Sequence, residues 1–201
     1  MVQTGKIHIG YLVSTAIAEN VYMGGAMVTD AFGLPLEFRY TEPVKATRLQ
    51  KILYGDVLEQ YIQTDVIIVN ILDNLEQKPS LFVVSDAEFL PALEAKGRTA
   101  IWLGEGRSAP LAEVGATLVV SDDEVMVQVS KTGGPIRVRF AHAGTHTESG
   151  VQTRAARQAE VLHTLNEAAH TMDVAEPLRR IDKALKLLWD EMEESPVKAS
   201  E

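Results

Sequence analysis

Residues 80–121 read SLFVVSDAEFLPALEAKGRTAIWLGEGRSAPLAEVGATLVVS. Three short apolar runs, at 81–84, 99–103 and 117–120, alternate with two segments of helical composition. That rhythm predicts a βαβαβ unit and therefore a parallel sheet. The runs are continuous rather than alternating, as expected of strands buried on both faces. Asp86 stands at the N-cap of the first helix and Gly97 at its C-terminal stop. A short helix is expected over 110–114, ended by Gly115.

Upstream, residues 6–41 read as β structure. KIHIGYLVST, VYMGGAMVTD and PLEFRYTE are strand-like, and their short connections imply an antiparallel meander. Gly24-Gly25 inside a strand indicates a bulge or a close approach by another backbone. Residues 45–54 look helical, with Leu49, Ile52 and Leu53 on one side. Over 56–77 helical spacing competes with the β-branched run Val66-Ile67-Ile68-Val69, and a helix broken near Thr64-Asp65 is preferred. Downstream, EVMVQVSK and IRVRF alternate around Gly133-Gly134 and predict a hairpin, with Arg137 and Arg139 facing outward. Two amphipathic stripes follow. One carries Ala155, Leu162, Leu165, Ala169 and Met172, the other Leu178, Ile181, Leu185, Leu188, Trp189 and Met192. A capping box at Asp173–Glu176 separates them.

The expected fold class is therefore α/β: a mixed sheet with an N-terminal antiparallel meander, a central parallel βαβ unit and a C-terminal αα-hairpin. The expected organisation is an α/β domain over 1–150, a helical hairpin over 151–193 packed on it or at a subunit interface, and a disordered tail over 194–201.

Composition narrows the function classes. The chain has 201 residues, no cysteine and a formal net charge of −9. Disulfides, thiolate metal sites and cysteine nucleophiles are excluded. No apolar run reaches the roughly 20 residues of a membrane helix, so no membrane is expected and a cytoplasmic location is the default. The negative charge opposes nucleic acid as a partner. A nucleic-acid binder would need Arg39, Lys131, Arg137 and Arg139 to form one patch.

Ligands of open α/β sheets bind at the carboxyl ends of strands. Those ends nominate Ser85, Gly104, Gly106, Arg107 and Ser121 as ligand-binding residues, with a small anionic ligand near the glycine pair and Arg107. Asp86, Glu88, Asp122, Asp123 and Glu124 are carboxylates of the kind that gather around Mg²⁺; Asp86 and Asp122 are the candidate catalytic pair. His142 and His146, beside Glu148, are a candidate Zn²⁺ donor set in a glycine-bearing loop. No complete catalytic constellation and no cofactor motif are legible, so enzyme and non-enzyme remain open. The segment VVSDAEFLPALEAKGRTAIWLGE resembles the central βαβ of nuclease domains of the NYN/PIN type. That resemblance implies metal-assisted hydrolysis of a phosphoester.

The first expectation is a binding or regulatory protein that forms a homo-oligomer through the Leu185, Leu188, Trp189, Met192 stripe. The alternative is a metal-assisted, nuclease- or phosphatase-like hydrolase.

Overall fold

The computed structural model describes residues 7–106, 108–131, 133–141 and 154–194. The first hairpin is β1 (Ile9–Ala18) and β2 (Val21–Thr29), turned at Asn20, whose φ is 60°. β3 (Pro35–Tyr40) continues the meander, and the two-residue β4 (Val44–Lys45) also pairs with β2. A helical run follows: α1 (Arg48–Tyr54), a 3₁₀ turn (Gly55–Val57), α2 (Leu58–Tyr61), a π-helical stretch (Ile62–Ile68) and α3 (Val69–Asn74). β5 (Leu81–Val84), a 3₁₀ turn with α4 (Leu90–Ala95) and β6 (Ala100–Glu105) make the βαβ unit. β7 (Thr117–Ser121), β8 (Glu124–Val127) and β9 (Ile136–Phe140) follow, then α5 (Arg154–Ala169) and α6 (Glu176–Glu194). Among the described residues no helix is long and apolar enough to cross a membrane.

The sheet order is β3-β2-β1-β5-β6-β9-β8-β7. β1, β5 and β6 run parallel, with Leu12 opposite Val84 and Val84 opposite Trp102. The mixed α/β fold class is thus as read from the sequence. The third parallel strand is not. β7 pairs antiparallel with β8 at the far edge, and the third parallel strand is β1, beside β5. The apolar run of β7 is exposed throughout, Val119 to 73%. No helix forms over 110–114.

Two apolar layers sandwich the sheet. On one face Tyr11, Val13, Met27, Val83, Ile101, Val125 and Val138 pack under Val161 and Leu165 of α5 and Ile181 and Leu185 of α6. On the other, Leu12, Ala26, Phe82, Val84 and Ala100 pack under Leu58, Ile62, Ile67, Ile68, Ile71 and Leu93. Of the 56–77 segment, residues 56–74 are helical, and the helix widens to π geometry over Ile62–Ile68, which includes Thr64-Asp65, instead of breaking there. Gly24-Gly25 does serve close approach, but of side chains. A Cβ on Gly24 would lie 2.1 Å from the Cγ2 of Ile67, and one on Gly25 would lie 2.8 Å from the Cγ2 of Ile181. Consecutive strand residues face opposite sides, so the pair admits one helix on each face.

The homo-oligomer expectation is corrected here. Leu185 is fully buried within the chain, and Leu188 and Trp189 pack against the same core. Of the stripe that was to hold a subunit interface, Leu185, Leu188 and Trp189 are taken up by the sheet and Met192 stays exposed.

Candidate functional site

Parallel strands release their chains at the carboxyl end, where loops can diverge around a ligand. β1 and β5 do so side by side: the N–H of Ser85 donates to the carbonyl of Leu12 at 3.0 Å. α6 crosses above this point. The result is a cleft of about 510 Å³ lined by Val13, Ser14, Thr15, Ser85, Asp86, Leu178, Arg179, Asp182 and Lys183. Arg179 and Lys183 are one helical turn apart, so they project together.

The charges in the cleft are unevenly satisfied. The Oδ1 of Asp86 accepts the N–H of Glu88 at 2.9 Å and caps the following turn. Asp182 is paired with Lys186 at 2.7 Å. Arg179 reaches Asp173 at 2.5 Å. Burial alone would raise the Asp173 carboxyl, but the N–H of Ala175 and the Arg179 guanidinium outweigh it and hold it below the usual range. Lys183 is exposed and has no ion-pair partner among the described residues. The Ser14 hydroxyl, on a residue only 8% exposed, has no hydrogen-bond partner among the described residues.

These residues do not fit a divalent cation. Mg²⁺ and its relatives need converging oxygen donors of net negative charge. Here one carboxylate caps a helix, the other is salt-bridged, and two cations share the lining. Among the described residues no group of three or more His, Asp or Glu is placed to hold a metal ion. Hydroxyls beside a lysine and an arginine suit an anion instead.

The other nominated residues disperse. Ser85 lines the cleft, but Gly104 and Ser121 do not join it. Gly104 lies in β6 opposite Arg137, covered by the Trp102 ring. The Gly106 N–H is used by the carbonyl of Pro135 at 3.0 Å, so the glycine pair is no anion cradle. Arg107, His142 and His146 lie outside the described residues. Ser121 ends β7, and its hydroxyl donates to Asp123 at 2.6 Å. Asp122, in the β7–β8 turn, is separated from Asp86 by β6 and β9. Asp123 and Glu88 line a different hollow beside Arg139. The expected acidic cluster therefore does not assemble. Its most buried member, Glu124, is 4% exposed and is held by Arg137 at 2.5 Å and Arg139 at 3.0 Å. Arg39 sits at the opposite side of the sheet, paired with Glu37 and Glu76.

The ion cluster gives a pH prediction. Burial pushes the Glu124 carboxyl up, but the two guanidiniums outweigh it and lower its pKa. A depressed folded-state pKa adds stability above the unfolded carboxylate value of about 4.3, and this is lost as pH falls below it. Glu124→Gln should therefore lower the melting temperature at neutral pH and flatten its fall between neutral and acid conditions. Melting curves across that range check this; parallel acid limbs in both proteins would contradict it.

The whole arrangement has known counterparts. The model superposes on Endonuclease V from Bacillus subtilis with a TM-score of 0.58 at 13% identity, covering 93% of this chain and 82% of that one. The fold is that of Endonuclease V. Endonuclease V from Streptomyces avermitilis aligns with a TM-score of 0.57 at 16% identity, over 94% of this chain and 83% of that one. The Ciona intestinalis Endonuclease V, in complex with a 24mer DNA containing an inosine followed by a ribo-adenosine, aligns with a TM-score of 0.51 at 10% identity, over 98% and 89%. No family model and no curated protein sequence matches. The likeness overturns two expectations. Ranking nucleic acid as an unlikely partner, and describing the chain as a small-ligand-binding homo-oligomer, both conflict with neighbours that are nucleases, one of them holding DNA.

Residues that sequence reasoning missed are Thr15, Arg179, Asp182 and Lys183. Their signal is faint: an Arg and a Lys at i, i+4 beside the apolar stripe of α6. Only the packing of α6 over the β1–β5 strand ends gives them a role.

Proposed function

We propose that this protein binds nucleic acid through the cleft at the carboxyl ends of β1 and β5. A phosphodiester would lie between Arg179 and Lys183 on one side and the Thr15 and Ser85 hydroxyls on the other. The observation that carries this reading is an anion-suited lining, with a free lysine, at the strand-end crevice of an Endonuclease V fold. The formal charge of −9 is then a background against which a local cationic patch must act. A cytoplasmic location belongs to the same proposal and rests on the cysteine-free composition.

A second reading, phosphoester hydrolysis, is favoured by the fold likeness alone, since the carboxylates in the cleft do not fit a divalent cation. One experiment separates them. A labelled single-stranded oligonucleotide is titrated with protein in EDTA and again in Mg²⁺, with binding read by fluorescence anisotropy and integrity by gel. Binding in EDTA with an intact strand in Mg²⁺ is expected. Cleavage in Mg²⁺ that is lost in Asp86→Asn would establish the hydrolytic reading. Absence of both binding and cleavage would overturn both.

A further inference from the structure

The helical run between β4 and β5 carries an apolar stripe that turns outward. α1 buries none of its residues. Leu49, Ile52 and Leu53 stand at i, i+3 and i+4 and so share one side of it; they are 64%, 80% and 71% exposed. The helix is held by other means. The Thr47 hydroxyl accepts from the N–H of Gln50, whose side chain accepts from the Thr47 N–H at 2.9 Å. The Tyr54 ring stacks on Tyr61 with centroids 5.0 Å apart. A helix this short is marginal on its own, and a run of large apolar side chains facing water marks a surface that another molecule covers.

The chain leads from this stripe into a groove of about 500 Å³. Tyr54, Val57, Tyr61 and Asp65 form one wall, and Glu88 and Pro91, from the 3₁₀ turn and α4, form the other. Asp65 and Glu88 are the charged residues of the lining; among the described residues no lysine, arginine or histidine joins them, and Arg48 and Lys51 of α1 lie outside it. Both carboxylates are exposed and neither has an ion-pair partner among the described residues. Glu88 also borders the hollow that Arg139 lines, yet Arg139 pairs with Glu124 instead.

We infer that α1 and this groove dock a basic, apolar segment of a partner protein, whose apolar side chains cover Leu49, Ile52 and Leu53 and whose Lys or Arg enters the groove. Charge complementarity chooses the occupant. Two unpaired carboxylates without a cation repel the phosphates of nucleic acid and of an anionic membrane. They attract an ammonium or guanidinium, and the Tyr54 and Tyr61 rings add the attraction of an aromatic face for a cation. The apolar stripe requires that the cation be carried on an apolar body. A polypeptide supplies this, since the stems of Lys and Arg are themselves hydrocarbon. The inference does not rest on the nucleic-acid reading: groove and cleft share no lining residue.

The probe is a phage-displayed library of random dodecapeptides panned on the full chain. Selected peptides should be enriched in Lys and Arg beside Leu, Ile or aromatic residues. Synthesised singly, they should bind Asp65→Lys/Glu88→Lys about tenfold or more weakly, because like charges then meet across the contact. Their affinity for the wild type should fall as salt rises. Ile52→Ser/Leu53→Ser should weaken the same peptides and leave oligonucleotide binding at the cleft unchanged. All four side chains are exposed, so both variants should keep the fold, checked by circular dichroism. Peptides without cationic enrichment, or peptides that bind the charge-reversed variant as well as the wild type, overturn the inference. If those peptides instead lose binding in Arg179→Glu/Lys183→Glu, the cleft takes the peptide and the groove does not. Failure to select any binding peptide overturns it as well; flotation with phosphatidylcholine–phosphatidylserine vesicles that is lost in Ile52→Ser/Leu53→Ser would then assign the stripe to a membrane surface.

Discussion

Replacing Val83 by Asp is expected to destabilise the protein severely. Val83 is the centre of β5, 0% exposed, paired with Tyr11 on one side and Ile101 on the other. Its side chain belongs to the layer under α5 and α6. An Asp there has no cation to pair with in an apolar layer. It must either stay charged and desolvated or take up a proton, and both cost several kcal/mol. A whole domain holds only about 5–15 kcal/mol. A loss of about 3–5 kcal/mol lowers the melting temperature by roughly 10 °C or more at this chain length. The matched control is Val119→Asp on β7, where the side chain is 73% exposed; about ±0.5 kcal/mol is expected. Thermal melts of both check this. A Val83→Asp protein melting within a degree or two of wild type would contradict the placement of β5.

The second large effect is on binding. Arg179→Glu with Lys183→Glu should weaken oligonucleotide affinity about tenfold to a hundredfold and reduce the salt dependence. Each phosphate contact removed subtracts about 0.7 from the slope of log affinity against log salt for a single strand. Folding should survive. Lys183 is exposed and the Arg179–Asp173 pair is 59% and 57% exposed on its two sides, so little stability is at stake. Arg48→Glu with Lys51→Glu on α1 makes the same change in net charge on exposed residues outside the cleft. Affinity equally reduced in both double variants would mean that overall charge, not the cleft, governs binding.

The same contrast of Val83 with Val119 shows what was legible. Both lie in short β-branched runs, and local pattern treats them alike. Periodicity found the meander, the βαβ unit, the hairpin and the helical stripes, because each depends on neighbours within one element. It misplaced β7 because strand neighbours are decided by long-range pairing. Ile9 lies beside Leu81, although β2, β3 and a long helical run separate them in sequence. The candidate site inherited that error. Ser85 was found because it follows β5 directly, whereas Ser121 was grouped with it on the expectation of a third parallel strand, and Gly104 as the end of a strand that runs on to Glu105. Arg179 and Lys183 belong to no motif in the sequence. They gain meaning from where α6 crosses the sheet, which is set partly by the space that Gly25 leaves for Ile181.

The most direct test is amide hydrogen exchange with and without a single-stranded oligonucleotide. Slowed exchange is expected over residues 13–16, 85–88 and 178–184, the three segments that meet at the cleft. Oligonucleotide bound at saturation with no slowing in any of these segments would contradict the cleft as the binding site.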